Sequence, residues 1–151
     1  MDKRSLMLAA ILSKQEIGII FKKWPKHITL IPWFNVSDYE KIDKLLTNYF
    51  SNLNSFSFEL GNEDHFGPVK DKKVIRIENT SELIKIHRDL ISLLDKEKIL
   101  PDMKYCGENY KPHITTKEDF PQDLDKTINE VYLVEDIGDW NREVVDIYRL
   151  I

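Results

Sequence analysis

Only two segments of this chain carry the 3.6-residue repeat of an amphipathic helix; the remaining apolar residues fall in short runs suited to strands. The first helix is announced by Ser37-Asp38-Tyr39-Glu40, a capping box with Ser at the N-cap and Glu three residues on. Behind it Ile42, Leu45, Leu46, Tyr49 and Phe50 recur at helical spacing. The second is capped near Asn79 or Ser81 and carries Leu83, Ile84, His87, Leu90, Ile91 and Leu94 on one stripe. Strands are predicted over 5–11, 27–34, 55–60, 73–78, 113–116, 131–134 and 144–150. Segment 15–23 fits a short helix or extended chain, 61–71 reads as a loop, and 98–111 as mostly loop. With helices in only two connections, the expectation is an α+β domain whose helices pack against mainly antiparallel sheet, rather than a doubly wound parallel fold.

A length of 151 residues fits a single domain, 1–151. Asp and Glu outnumber Lys and Arg, 26 to 22, which argues against coating DNA or anionic membranes while leaving room for a local basic site. The single Cys106 excludes an intramolecular disulfide, and with four scattered His it leaves no Cys-rich zinc site. A reducing, cytoplasmic setting, no metal and no cofactor are expected. The apolar run 6–12 after Asp2-Lys3-Arg4 imitates a signal peptide, yet it is short and lacks a cleavage site, so it reads as a buried first strand. No run reaches the length of a membrane span.

The chemistry lies in a repeated tripeptide. Lys26-His27-Ile28-Thr29-Leu30 and Pro112-His113-Ile114-Thr115-Thr116 both contain His-Ile-Thr in a strand context, one in each half of the chain. Side chains alternate along a strand, so His27 and Thr29 share one face and Ile28 takes the other; His113, Thr115 and Ile114 repeat the pattern. Two such strands facing each other would pair a neutral imidazole, removing a proton from an attacking oxygen, with a protonated one serving the leaving oxygen. The hydroxyls would donate to non-bridging phosphate oxygens. That apparatus suits phosphodiester cleavage without a metal, above all of a strained 2′,3′-cyclic phosphate.

At these residues the sequence resembles the 2H phosphoesterases, the superfamily of the RNA 2′,5′-ligases and cyclic phosphodiesterases. The likeness spans almost the whole chain. Segment 6–12 is similar to the family's first strand, His27-Ile28-Thr29-Leu30 with Pro32-Trp33-Phe34 to its first motif, Phe66-Gly67-Pro68 to a turn before strand 73–78, and Lys111-Pro112-His113-Ile114-Thr115 to its second motif. The resemblance implies two pseudo-symmetric lobes of mainly antiparallel sheet, helices outside and a central cleft. It also implies His27 and His113 as acid and base in either order, with Thr29 and Thr115 as phosphate ligands. Two features depart from the pattern: Thr116 replaces a usually hydrophobic residue, and the nearest downstream cation is Lys117, where ligase-like members carry an Arg one position later.

Around the motifs, Lys26, Lys111 and Lys117, with Lys22, Lys23 and Lys104, are candidates for a positive cleft rim. Trp24, Phe66 and Tyr110 are candidate substrate contacts able to stack on a base. His87 reads as a core histidine, His65 as a solvated loop residue, and Cys106 as a nucleophile only in a minor reading. The expected activity is cyclic phosphodiester hydrolysis on a nucleotide or short RNA end by a monomer. The alternatives are action on 2′,5′- or 3′,5′-linked oligonucleotides or cyclic dinucleotides, RNA-end joining, and a non-catalytic nucleotide- or RNA-binding module.

Overall fold

The apolar run near the N-terminus is a strand buried on both faces. In the computed structural model, which describes residues 3–78, 80–115 and 125–151, β1 (Arg4–Ile11) sends Leu6, Leu8 and Ala10 into one core and Ala9 and Ile11 into another. Two-sided burial accounts for a continuous apolar run where a half-buried strand would alternate. β1 lies between β3 (His27–Val36) and β9 (Glu130–Gly138), antiparallel to both. β9 turns into β10 (Asn141–Arg149) through Asp139 and Trp140, whose φ values of 53° and 64° are those of the two-residue turn that matches strand twist. The short β2 (Ile20–Phe21) pairs with β10 at the edge.

On its other side β3 meets β7 (His113–Thr115), followed by β6 (Lys72–Glu78) and β5 (Glu59–Phe66). The order is therefore β2-β10-β9-β1-β3-β7-β6-β5, with every pairing antiparallel. A separate ladder joins β4 (Phe56–Ser57) to β8 (Thr127–Ile128). Helices α1 (Tyr39–Ser51) and α2 (Ser81–Lys96) cover one face of the large sheet: Ile42, Leu46 and Phe50 share a core with Leu83, Ile86, Leu90 and Leu94. The Tyr49 hydroxyl donates to Asp89 at 2.8 Å and links the helices. The fold is α+β, and its two lobes are halves of one sheet that meet at the β3–β7 seam, registered on Ile28 and Ile114. On the open face Trp24, Trp33 and Phe21 pack over Ala9, Ile11, Tyr132, Val134 and Val144.

Several local expectations shift. The N-cap of α1 is Asp38, one residue after Ser37: its carboxylate accepts the Lys41 N–H at 3.2 Å. The α2 cap is Thr80, and Asn79 lies outside the described residues. Ile86 replaces Ile84 on the buried stripe of α2. Most of the expected loop 61–71 is strand, because β5 continues to Phe66. Its Asn62-Glu63-Asp64-His65 stretch lacks an apolar alternation because β5 is an edge strand that faces water. A register shift between Leu60 and Glu63 falls at Gly61, where a Cβ would come within 3.0 Å of the Arg76 carbonyl oxygen.

Candidate active site

The β3–β7 register assembles the site. Ile28 and Ile114 are directly paired, both fully buried, so both point into the helix-covered core. Alternation then sends His27, Thr29, His113 and Thr115 to the opposite, open face. Antiparallel pairing sets His27 across from Thr115 and Thr29 across from His113, leaving the two histidines on a diagonal. Diagonal neighbours lie roughly 7–8 Å apart at the backbone, a gap that accommodates a phosphate between two imidazoles.

Each histidine is held by the same local device. His27 Nδ1 lies 2.9 Å from the Pro25 carbonyl oxygen, and His113 Nδ1 lies 2.8 Å from that of Lys111. The acceptor is in both cases two residues upstream. A carbonyl only accepts, so each Nδ1 carries the proton and each Nε2 is left as the basic nitrogen. Among the described residues neither Nε2 has a partner. An aromatic ring supports each imidazole: Trp24 lies against His27 at 4.3 Å between centroids, and Phe66 meets His113 edge-on at 4.8 Å.

Burial lowers the proton affinity of both imidazoles, and the backbone hydrogen bonds oppose that in part. The charge of His113 further depresses His27, so the two feel one another across the seam. Arg76 on β6 depresses His113. That arginine is the Cα partner of His113 in the β6–β7 ladder and shares its face. Sequence reasoning missed it. The signal was the alternation in 73–78, which turns Arg76 away from the face of Ile75 and Ile77; its neighbour is set only by strand pairing.

His87 shows the opposite arrangement. It is fully buried, its Nδ1 donates to the Leu30 carbonyl at 2.7 Å, and its Nε2 accepts the Gly107 N–H at 2.9 Å. With both nitrogens engaged it has no lone pair for chemistry. Tyr110 stacks on it at 4.0 Å and 6°, and the Tyr110 hydroxyl donates to the Thr29 carbonyl at 2.8 Å. Tyr110 thus presents one ring face to a core histidine and its hydroxyl to β3, and ties the segment before β7 to the first motif. The Cys106 thiol is buried and its pKa raised by that burial, the reverse of an activated nucleophile. His65 sits exposed on β5, paired with Lys73 in the ladder.

Of the remaining candidates, Lys26 is half-buried beside His27, its carbonyl accepting the Leu12 N–H at 2.9 Å, and Lys111 is exposed beside the second motif. Lys117 and Thr116 lie outside the described residues. The Lys104 ammonium lies 5.3 Å over the Tyr105 ring. A pocket of about 280 Å³, lined by Ile11, Ser13, Lys14, Glu130 and Tyr132 among others, adjoins the His27 side, since Ile11 pairs with His27. A larger groove of about 650 Å³ lies at the far end of β3, around Trp33, Asp38, Lys41 and Glu97, away from the histidines. Among the described residues no three His, Cys, Asp or Glu side chains gather as a metal site.

Two histidines on one face of an antiparallel sheet form a candidate acid–base pair, and comparison with known proteins gives the family. The family model for the 2'-5' RNA ligase superfamily matches residues 10–138. The chain belongs to that superfamily, the 2H phosphoesterases, a family of phosphoesterases and RNA ligases. E. coli LigT complexed with 3'-AMP superposes with a TM-score of 0.67 at 14% identity, covering 99% of each chain. TT0787 of Thermus thermophilus gives 0.62 at 17% identity over 97% of each, and a structure described as a phosphoesterase gives 0.64 at 14% over 99% of each. A search of curated proteins finds no match. No helix among the described residues is long and apolar enough to cross a membrane.

Proposed function

We propose that this protein opens 2′,3′-cyclic phosphodiesters on a nucleotide or RNA end, with His27 and His113 as acid and base and Thr29 and Thr115 as phosphate ligands. One neutral Nε2 takes a proton from water as its oxygen bonds to phosphorus. The other Nε2–H gives its proton to the ribose oxygen as the ring P–O bond breaks, leaving a phosphomonoester. Each turnover thus leaves the base protonated and the acid neutral, and proton exchange with solvent resets the pair. The hydroxyls of Thr29 and Thr115 donate to the non-bridging oxygens, where charge grows. With a ribose hydroxyl in place of water as the nucleophile, the same ring opening would join RNA ends as a phosphodiester. Membership in a superfamily described by its RNA ligases keeps that second reading open.

The observation that carries the proposal is the duplicated hydrogen bond from Nδ1 to a carbonyl two residues upstream, which presents two Nε2 atoms in the same tautomer on one sheet face. The solved complexes of LigT with 3'-AMP, with ATP and with NADP+ support a nucleotide as ligand.

The test is hydrolysis of 2′,3′-cyclic AMP in EDTA by wild type, His27→Ala and His113→Ala, with the product's phosphate position assigned by NMR. Each variant is expected to lose about 10²–10⁴-fold in kcat with its fold intact. Full activity in both variants would overturn the site. Nucleotide binding by the wild type without turnover of cyclic mononucleotides or oligonucleotides would leave a binding module.

A further inference from the structure

Beyond the histidine pair, the open face holds one arginine in register with it. Arg76 is the Cα partner of His113, while its neighbour Ile75 pairs with the buried Ile114 on the opposite face. Its guanidinium is turned toward β5, where Nη1 lies 3.7 Å from Asp64 Oδ2, and both side chains are 44% exposed. That separation exceeds hydrogen-bonding range, so the pair is a loose surface contact worth little in itself. The guanidinium is therefore available for a ligand. It points away from β3, which bears His27 and Thr29, and His113 with Phe66 against its edge stands between it and the centre of the site. As placed beside Asp64, the guanidinium is directed toward an anion further along the same face on the β6 side rather than toward one held between the two histidines. Arg76 nevertheless acts electrically on the site, since it depresses the proton affinity of His113.

We infer that Arg76 anchors a second phosphate, next along the chain from the scissile one, so that the site is built for a nucleotide or RNA end carrying a further phosphate rather than for a bare cyclic nucleoside monophosphate. The inference rests on the proposed phosphoesterase reading for which phosphate is scissile. Guanidinium suits the task because its planar donor fork takes phosphate bidentately. Among the described residues Asp64 is the one carboxylate in contact with the guanidinium, and a phosphate forming two charge-assisted bonds displaces so loose a partner.

The test is calorimetric binding of adenosine 3′,5′-bisphosphate against 3′-AMP, which needs no turnover. Wild type is expected to prefer the bisphosphate by about 10-fold, the scale of one charge-assisted contact. Arg76→Ala should bring the ratio within about twofold of unity, and Arg76→Lys, a point charge without the fork, should fall between. Asp64→Asn should widen the preference by freeing the guanidinium. Lys72→Ala, further along the same face of β6, should keep it. Circular dichroism identifies any variant that fails to fold, and Arg76→Lys and Asp64→Asn then still decide the matter. An unchanged ratio in Arg76→Ala, a wild type with no preference, no binding of either nucleotide, or loss of the preference in Lys72→Ala instead would each overturn the inference. The hydrolysis assay with the histidine variants reads the underlying function separately.

Discussion

A histidine whose Nδ1–H is held by a backbone carbonyl exchanges protons only through Nε2, and this protein makes that arrangement twice. Both imidazoles have their proton affinity lowered, chiefly by burial, and each is lowered further by a neighbouring cation, His113 acting on His27 and Arg76 on His113. The proposed mechanism uses one protonated and one neutral imidazole. Both limbs of the pH dependence of kcat/KM are therefore expected below the ordinary imidazole value of about 6.5, with the optimum on the acid side. Removing Arg76 should move a limb to higher pH, because the cation that disfavours protonation of His113 is gone. An optimum above about pH 7.5 would contradict this arrangement. At Thr29 and Thr115, replacement by Val removes a proposed donor to the phosphate and should lower kcat about 10²-fold, while Ser retains most of it. Steady-state kinetics on the four variants checks this. That each His shares a strand face with its Thr is legible in the sequence, because period-two alternation needs no tertiary information. The pairing of Arg76 with His113 is not, because it is a register between strands distant in the chain.

At the scale of elements, the site depends on segments that hold its two strands in place. The Tyr110 hydroxyl on the Thr29 carbonyl spans from the run-in of β7 to β3, and the stacked His87 reaches Leu30 and Gly107. Tyr110→Phe keeps the stack and deletes that bond. It should cost about 1 kcal/mol of stability, read from the urea midpoint, and reduce kcat more than it changes KM, since it acts on strand position. At the bulge in β5, Gly61→Ala would press a Cβ within 3.0 Å of the Arg76 carbonyl, a backbone atom held in the ladder. The expected cost is about 1–3 kcal/mol, measured as a drop in the thermal midpoint. Helices were read from their periodicity, with cap errors of a residue or so, because an apolar stripe over three turns is a strong signal. The part of β5 from Gly61 to Phe66 reads as loop because an edge strand facing water has no apolar pattern to show.

At the scale of the whole molecule, α1 closes over β10 through a cluster of acids and phenols. The Tyr148 hydroxyl donates to Asp43 at 2.7 Å, and Asp146 sits beside Asp43 with its pKa pushed up to about 6 by burial and by that shared contact. Tyr39, held up to about 12 chiefly by burial, borders the same cluster, and the Arg4 guanidinium lies 3.9 Å over its ring. A carboxyl whose folded pKa lies above its unfolded value of 3.8 binds the extra proton in the native state, so its contribution to stability falls as pH rises from about 4 to about 6. Asp146→Asn should therefore be more stable than wild type at about pH 7.5, with the gap closing at about pH 4; urea midpoints at the two pH values test it. A gap that persists unchanged at the lower pH would place the effect elsewhere.

Local periodicity and one repeated tripeptide were enough, from the sequence alone, to set the class of fold, the two helices, most of the strands, and the residues that share a face with each histidine. These are properties of a few consecutive residues and the geometry of a single strand or helix. Tertiary structure alone decided that β3 and β7 adjoin with Ile28 against Ile114, that Arg76 flanks His113, that Tyr110 serves β3, and that Asp43 meets Asp146. Each of these joins residues far apart in the chain, and the strand order and register that bring them together arise from packing a whole sheet against two helices, which no local pattern encodes.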